Sequence, residues 1–110
     1  MCQIQMYNTW AQVETVAFAE SYAPRLMAGY HVQGDGQDYF VQISNKKLIL
    51  GYPATPSGAG SGYLAPSDVV GIAQYFIGRG TPLLGLMTWS IGWDELSGWP
   101  LASAVAQSGL

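Results

Sequence analysis

Trp89 closes a short apolar run, Leu83 to Met87 after Pro82, whose length suits one buried strand. In a parallel α/β architecture the carboxyl ends of the strands face the ligand. An indole placed there offers a flat apolar face on which a sugar ring can lie. The competing reading is that Trp89 is simply core. A second group of chemically capable residues stands near the amino terminus. Ile4 and Met6 alternate with Gln3, Gln5 and Tyr7, a period of two that reads as a strand from Cys2 to Tyr7, broken at Asn8-Thr9. Gln5, Tyr7 and Asn8 then project at or beyond the strand end. Three hydrogen-bonding groups at one strand mouth suit a polar ligand, although an edge strand with a wet face has the same pattern.

The other candidates for chemistry are weaker. Past Trp89 the chain is expected to turn at Gly92 into the acidic pair Asp94-Glu95. Glu14 and Glu20 lie in or beside a helical segment, where solvated faces are their expected home. Asp35-Gly36-Gln37-Asp38 holds two acids three apart. His31, the single histidine, has no partner of the kind that a metal site or a nucleophilic triad needs, and reads as a surface or loop residue. Cys2 is the single cysteine and has no internal disulfide partner, and no Cys/His spacing for zinc is present. Gly34-x-Gly36 lacks the third glycine of a dinucleotide loop. Gly58, Gly60 and Gly62 are not followed by Gly-Lys-Ser/Thr, so a phosphate cradle is not indicated. No metal and no cofactor are implied.

Composition narrows the classes. With 110 residues the chain suits one small domain, residues 1–110, with no separate second one. It is 49% hydrophobic but only 10% charged, against a usual charged share of about 25%. So few charges leave little polar cover, which suggests a piece of a larger body or a subunit that buries surface on a partner. The net charge is −3, and Arg25, Lys46, Lys47 and Arg79 form no patch, which argues against a nucleic-acid partner. No run reaches the ~18 apolar residues of a membrane helix. Met1-Cys2-Gln3 lacks a basic n-region, so no signal peptide is visible and the location stays unassigned.

The elements that must position these residues alternate. After the first strand, Val13 to Ala28 is helical, with Val16, Ala19, Ala23 and Leu26 at helical spacing and Gly29 as its C-terminal cap. Pro24 predicts a kink or break, with a new turn near Ser21. Tyr30 to Asn45 is irregular, with a turn at Gly34-Asp35-Gly36 and a short extended piece from Tyr39 to Ile43. Lys47 to Tyr52 is a second strand, continuously apolar at its centre as a strand covered on both faces would be, and ended by Pro53. A loop rich in Pro, Gly, Ala and Ser follows from Pro53 to Pro66. Ser67 is expected to cap a helix from Asp68 to about Arg79, with Val69, Ile72, Ala73 and Phe76 as its buried stripe. The tryptophan strand comes next, and Leu101 to Ala106 forms a short last helix. Strand, helix, strand, helix, strand, helix predicts an α/β fold with parallel strands.

In order and spacing, Gln5-Met6-Tyr7-Asn8, Leu48-Ile49-Leu50-Gly51-Tyr52-Pro53-Ala54, Gly60-Ser61-Gly62-Tyr63 and Gly85-Leu86-Met87-Thr88-Trp89-Ser90-Ile91 resemble glycoside hydrolase family 18. The likeness is to the C-terminal portion of a bacterial chitinase catalytic domain and runs from Gln3 to about Val105, weakest over Val32 to Asn45. It implies a partial (β/α)₈ TIM barrel: three consecutive strand-helix units, the sixth to eighth strands of the parent. It also implies a glycosidase parent, often secreted, that hydrolyses β-1,4 links between N-acetylglucosamine units. The route is substrate-assisted, outside the usual two-carboxylate scheme. Chitin or its oligosaccharides are the implied ligand. On this resemblance Tyr7 hydrogen-bonds the acetamido carbonyl, Gln5 and Asn8 stand nearby, and Trp89 is the floor under the sugar.

One departure is plain. The family's acid motif, Asp-x-x-Asp-x-Asp-x-Glu, is absent, and neither Asp35/Asp38 nor Asp94/Glu95 matches it. A barrel takes ~250 residues, so this chain is expected to carry substrate-binding residues without the catalytic acid and to be inactive alone. The alternatives are a non-catalytic sugar-binding module or a self-assembling half-barrel. A barrel portion leaves both sheet edges open and its interior face uncovered, with Ile4, Met6, Ile49 or Leu50, and Met87 as the candidates for that face. The expected partners are therefore the missing N-terminal barrel portion or further copies of the chain.

Overall fold

The computed structural model describes residues 1–9 and 14–110. Three parallel strands form the sheet: β1 (Cys2–Gln5), β4 (Leu48–Pro53) and β5 (Gly85–Trp89), in the order β1-β4-β5. Between β1 and β4 come helix α1 (Val16–Ala28) and an antiparallel hairpin, β2 (Tyr30–Gly34) with β3 (Gln37–Val41). Helix α2 (Pro66–Gly78) connects β4 to β5, and α3 (Ile91–Leu96) and α4 (Pro100–Ser108) close the chain. The expected α/β alternation and parallel sheet are therefore present.

Register sorts the side chains onto two faces. Gln3, Ile49 and Gly85 stand in one row and Gln5, Gly51 and Met87 in the next. Successive strand residues alternate between faces, so Ile4, Leu48, Leu50, Tyr52 and Leu86 occupy the other side. That other side is where the core lies. Met6, Leu48, Leu50 and Tyr52 pack with Ala19, Ala23 and Leu26 of α1, Val69, Ile72 and Phe76 of α2, and Leu101 of α4, with Ile4, Val16 and Leu86 against them. Helix α2 lies between α1 and α4 and touches both. The interior-face candidates need correction accordingly. Ile4, Met6 and Leu50 belong to the helix-packed core, and only Ile49 and Met87 stand on the opposite face.

Several local expectations change as well. Helix α1 runs unbroken through Pro24. Proline removes one backbone donor, but Ala19, Ala23 and Leu26 are all buried against the sheet, and that packing carries the helix across the gap. Thr15 caps it by accepting from the Phe18 N–H, and Gly29 ends it at φ 88°. Val13, read as the start of this helix, lies outside the described residues. Tyr30 to Val41 forms the hairpin rather than an irregular stretch, turning through Asp35 and Gly36 as expected, both at positive φ. His31 lies on it, exposed, with its Nδ1 2.7 Å from Asp38 Oδ2. Ser67 does not cap α2, which starts at Pro66 with Ala65 at the cap position and no side-chain bond there. Proline at the first position needs no donor partner of its own.

Candidate functional site

The carboxyl ends of β1, β4 and β5 point the same way and gather the loops at one end of the sheet. Trp89 ends β5 and is the register partner of Pro53 at the end of β4. Tyr7 lies two residues past Gln5, which pairs with Gly51, and the intervening Met6 N–H donates to the Gly51 carbonyl at 2.9 Å. Tyr7 and Trp89 thus stand at the carboxyl ends of β1 and β5, the two strands that flank β4. The indole of Trp89 is 53% exposed at this mouth. It is not core, although Thr88 and Met87 just before it are half-buried. The Trp89 carbonyl accepts the Ala54 N–H at 2.8 Å, which ties the strand end to the neighbouring loop. Gly58 comes so close to that carbonyl that a Cβ on it would stand 2.9 Å away.

Tyr7 is set differently, with only 5% of its surface exposed. Burial raises its phenol pKa above the ordinary tyrosine value. Gln5 donates from Nε2 to the Tyr7 carbonyl at 3.2 Å. Asn8, at φ 58°, accepts the Gly60 N–H on Oδ1 at 2.7 Å and donates its own N–H to the Ser61 carbonyl at 3.3 Å. Gly62, at φ 87°, lies flat on Tyr7: a Cβ there would come within 2.6 Å of Tyr7 Cα. Glycine is therefore required at this position both by conformation and by space.

Of the four residues singled out from the sequence, Gln5 is hydrogen-bonded to Tyr7, Asn8 is tied to Gly60 and Ser61, and Trp89 stands apart at the end of β5. Sequence reasoning missed two further residues. Glu14 is not simply solvated: its Oε1 accepts from the Thr9 N–H at 2.6 Å and the Thr9 hydroxyl at 2.7 Å. Desolvation pushes the Glu14 carboxyl up, but the Thr9 bonds outweigh it and hold the pKa below its ordinary value. Asp94 is buried in α3 and accepts the Leu101 and Ala102 N–H groups at 2.9 and 3.0 Å, capping α4 from outside. Gly92 is accordingly part of a helix and not a turn. The signal for this cap was Pro100 at the start of a helix with Trp99, which cannot cap, before it.

Burial also affects the floor beneath the mouth. The Tyr52 and Thr88 hydroxyls, on register partners, and the Thr55 hydroxyl are buried with no hydrogen-bond partner among the described residues. Burial pushes the Tyr52 phenol far above the ordinary range. Among the described residues no group of three or more His, Cys, Asp and Glu is placed to hold a metal. No helix among them is long and apolar enough to cross a membrane.

No family model matches the chain. Individual proteins do. It is 28% identical over 128 aligned positions to a chitinase of Paenibacillus xylanexedens, covering 94% of this chain and 24% of that protein. It is 29% identical over 118 positions to chitinase D of Niallia circulans, covering 86% of this chain and 22% of the relative. The chain thus spans about a quarter of the length of these two relatives. Among solved structures, a family 18 chitinase from Chromobacterium violaceum superposes with a TM-score of 0.76 at 21% identity, over 96% of this chain and 34% of that one. That likeness carries the fold: an open parallel sheet backed by helices, matching one third of a closed barrel. In its sequence relatives and in its fold, the chain is similar to a portion of a glycoside hydrolase family 18 chitinase domain.

Proposed function

We propose that the chain forms the sugar-gripping side of a chitin-hydrolysing barrel, and that residues 1–110 all belong to that one catalytic domain, as its sixth to eighth strands. The observation that carries this is the placement of Tyr7 just past β1 and of Trp89 at the end of β5, at the carboxyl ends of a parallel sheet, with Trp89 half-exposed. The indole stacks under an N-acetylglucosamine ring. The Tyr7 phenol donates to the acetamido carbonyl oxygen and holds it against the anomeric carbon. Gln5 and Asn8 flank it. In the complete reaction that oxygen attacks the anomeric carbon while the departing glycosidic oxygen takes a proton from an acid.

This chain does not supply that acid. The Asp-x-x-Asp-x-Asp-x-Glu run is absent, Asp94 is committed to two backbone N–H groups, and Asp38 lies on the hairpin beside His31. Proton donation contributes typically ~10²–10⁴-fold, so the isolated chain binds without turning over. The same observation favours a second reading, a non-catalytic sugar-binding module. Titration of the chain with chitotetraose in a calorimeter tests the shared part, and heat of binding that vanishes with Trp89→Ala is the expected result. Adding a polypeptide that carries the missing acid strand separates the two readings. Recovered cleavage of a fluorogenic chitobioside supports the barrel portion, and binding without cleavage supports the module.

A further inference from the structure

We propose that Asn8 is a positioning residue: together with Gly62 it pins the 60–62 loop onto the Tyr7 main chain and so fixes where the Tyr7 side chain stands in the mouth. This deepens the sugar-site reading and rests on it.

The main chain around Tyr7 is held from three directions. Behind it, Gln5 Nε2 donates to the Tyr7 carbonyl at 3.2 Å. Beside it, Asn8 adopts a left-handed backbone, φ 58°, which asparagine tolerates better than most residues. That conformation turns the Asn8 side chain onto the loop, where Oδ1 receives the Gly60 N–H at 2.7 Å, while the Asn8 N–H reaches the Ser61 carbonyl at 3.3 Å. Above it, Gly62 packs against Tyr7 so closely that no side chain fits: a Cβ would lie 2.6 Å from Tyr7 Cα and 2.7 Å from the Met6 carbonyl oxygen. Glu14 steadies the next residue by accepting from both the Thr9 N–H and hydroxyl.

The consequence concerns the division of labour. The Asn8 side-chain oxygen already accepts the Gly60 N–H of the loop. Its effect on ligand passes through Tyr7. Binding groups must be held to within a fraction of an ångström to act together, and a pin on the main chain of the gripping tyrosine meets that requirement.

Three variants of the full chain test this. Asn8→Asp keeps an acceptor at the same place, Asn8→Ala removes it, and Gly62→Ala keeps every hydrogen-bonding group but forces the loop off Tyr7. Amide hydrogen exchange at Gly60, titration of the Tyr7 phenol by absorbance and affinity for chitotetraose are the three readouts. The expected result for Asn8→Ala is about tenfold faster exchange at Gly60, the scale of one hydrogen bond. It is accompanied by a Tyr7 phenol that titrates lower and by weaker binding. Asn8→Asp stays close to wild type in all three, and Gly62→Ala loses binding with Asn8 intact. Should Asn8→Ala fail to fold, Asn8→Ser, too short to reach Gly60, carries the same comparison. Unchanged Gly60 exchange in Asn8→Ala overturns the pin. Loss of affinity in Asn8→Asp with Gly60 still protected overturns it too, and makes Asn8 a direct ligand. A wild-type chain that binds no oligosaccharide sinks the sugar-site reading instead, and the pin is then decided by Gly60 exchange and the Tyr7 titration.

Discussion

The Asp94 carboxylate caps a helix that it does not belong to, with Oδ1 on the Leu101 N–H and Oδ2 on the Ala102 N–H. The residue at the cap position itself, Trp99, has a left-handed backbone and no side-chain bond to give. One buried charge therefore joins α3 to α4 and holds α4 against the core through Leu101.

Asp94→Ala should destabilise the chain by about 1–3 kcal/mol, the cost of losing a cap and leaving buried donors unpaired. Asp94→Asn retains one acceptor and should lose less. Urea denaturation followed by circular dichroism measures both. Wild-type stability in Asp94→Ala would mean that α4 holds its place without the cap.

Trp89→Ala should weaken chito-oligosaccharide binding more than Trp99→Ala. Stacking on an aromatic face is worth roughly 1–3 kcal/mol in the nucleobase case, which corresponds to about five- to 150-fold in affinity. Trp99 is also partly exposed, but it stands at the start of α4 and not at a strand end. Equal losses at equal stability would move the mouth away from Trp89.

No hydrolysis of a fluorogenic chitobioside is expected from the purified chain, and Glu95→Gln should change nothing. Glu95 is exposed on α3 just past the strand mouth. Activity that survives purification and disappears in Glu95→Gln would assign the acid to that residue.

The Glu14 clamp should depend on pH. Its carboxyl pKa is held below the ordinary value by the Thr9 bonds, despite opposing desolvation. A lowered folded-state pKa gives stability that is complete above the unfolded value of 4.5 and disappears as pH falls through the folded one. Glu14→Gln, which does not ionise, should remove that share of the acid dependence. Denaturation midpoints taken from about pH 6 down to about pH 2.5, a span that brackets the usual carboxyl range, compare the two. Parallel curves for both proteins would argue against the clamp.

The 110-residue polypeptide should associate at micromolar concentration. Among the described residues each outer strand, β1 and β5, pairs on one side only, and such edges invite pairing. Beside β5 an apolar groove of about 570 Å³ runs between α2 and α4, lined by Ile77, Leu84, Leu86, Leu101 and Val105 among others. Sedimentation velocity reads the state directly. A monodisperse monomer with a sharp unfolding transition would favour a self-sufficient domain over a barrel portion.

Much of the fold was legible in the sequence because its signals are local. Period-two alternation marked β1, the apolar run Leu48 to Leu50 marked a strand covered on both faces, and the spacing of Val69, Ile72, Ala73 and Phe76 marked α2. The residues at the strand ends, Tyr7 and Trp89, followed from where those strands stop. The sequence did not decide what depends on distant partners. Pro24 argued for a broken helix, but burial of Ala19, Ala23 and Leu26 on the sheet outweighed it. Which face of β1 meets the helices depends on pairing with β4, so Ile4 and Met6 went to the core and Gln3 and Gln5 to the other side. The roles of Glu14, Asp94 and Gly62 were settled only by tertiary contact. A carboxylate has no preferred partner until folding brings an N–H within reach, and a glycine shows what it makes room for only when another strand end lies beneath it.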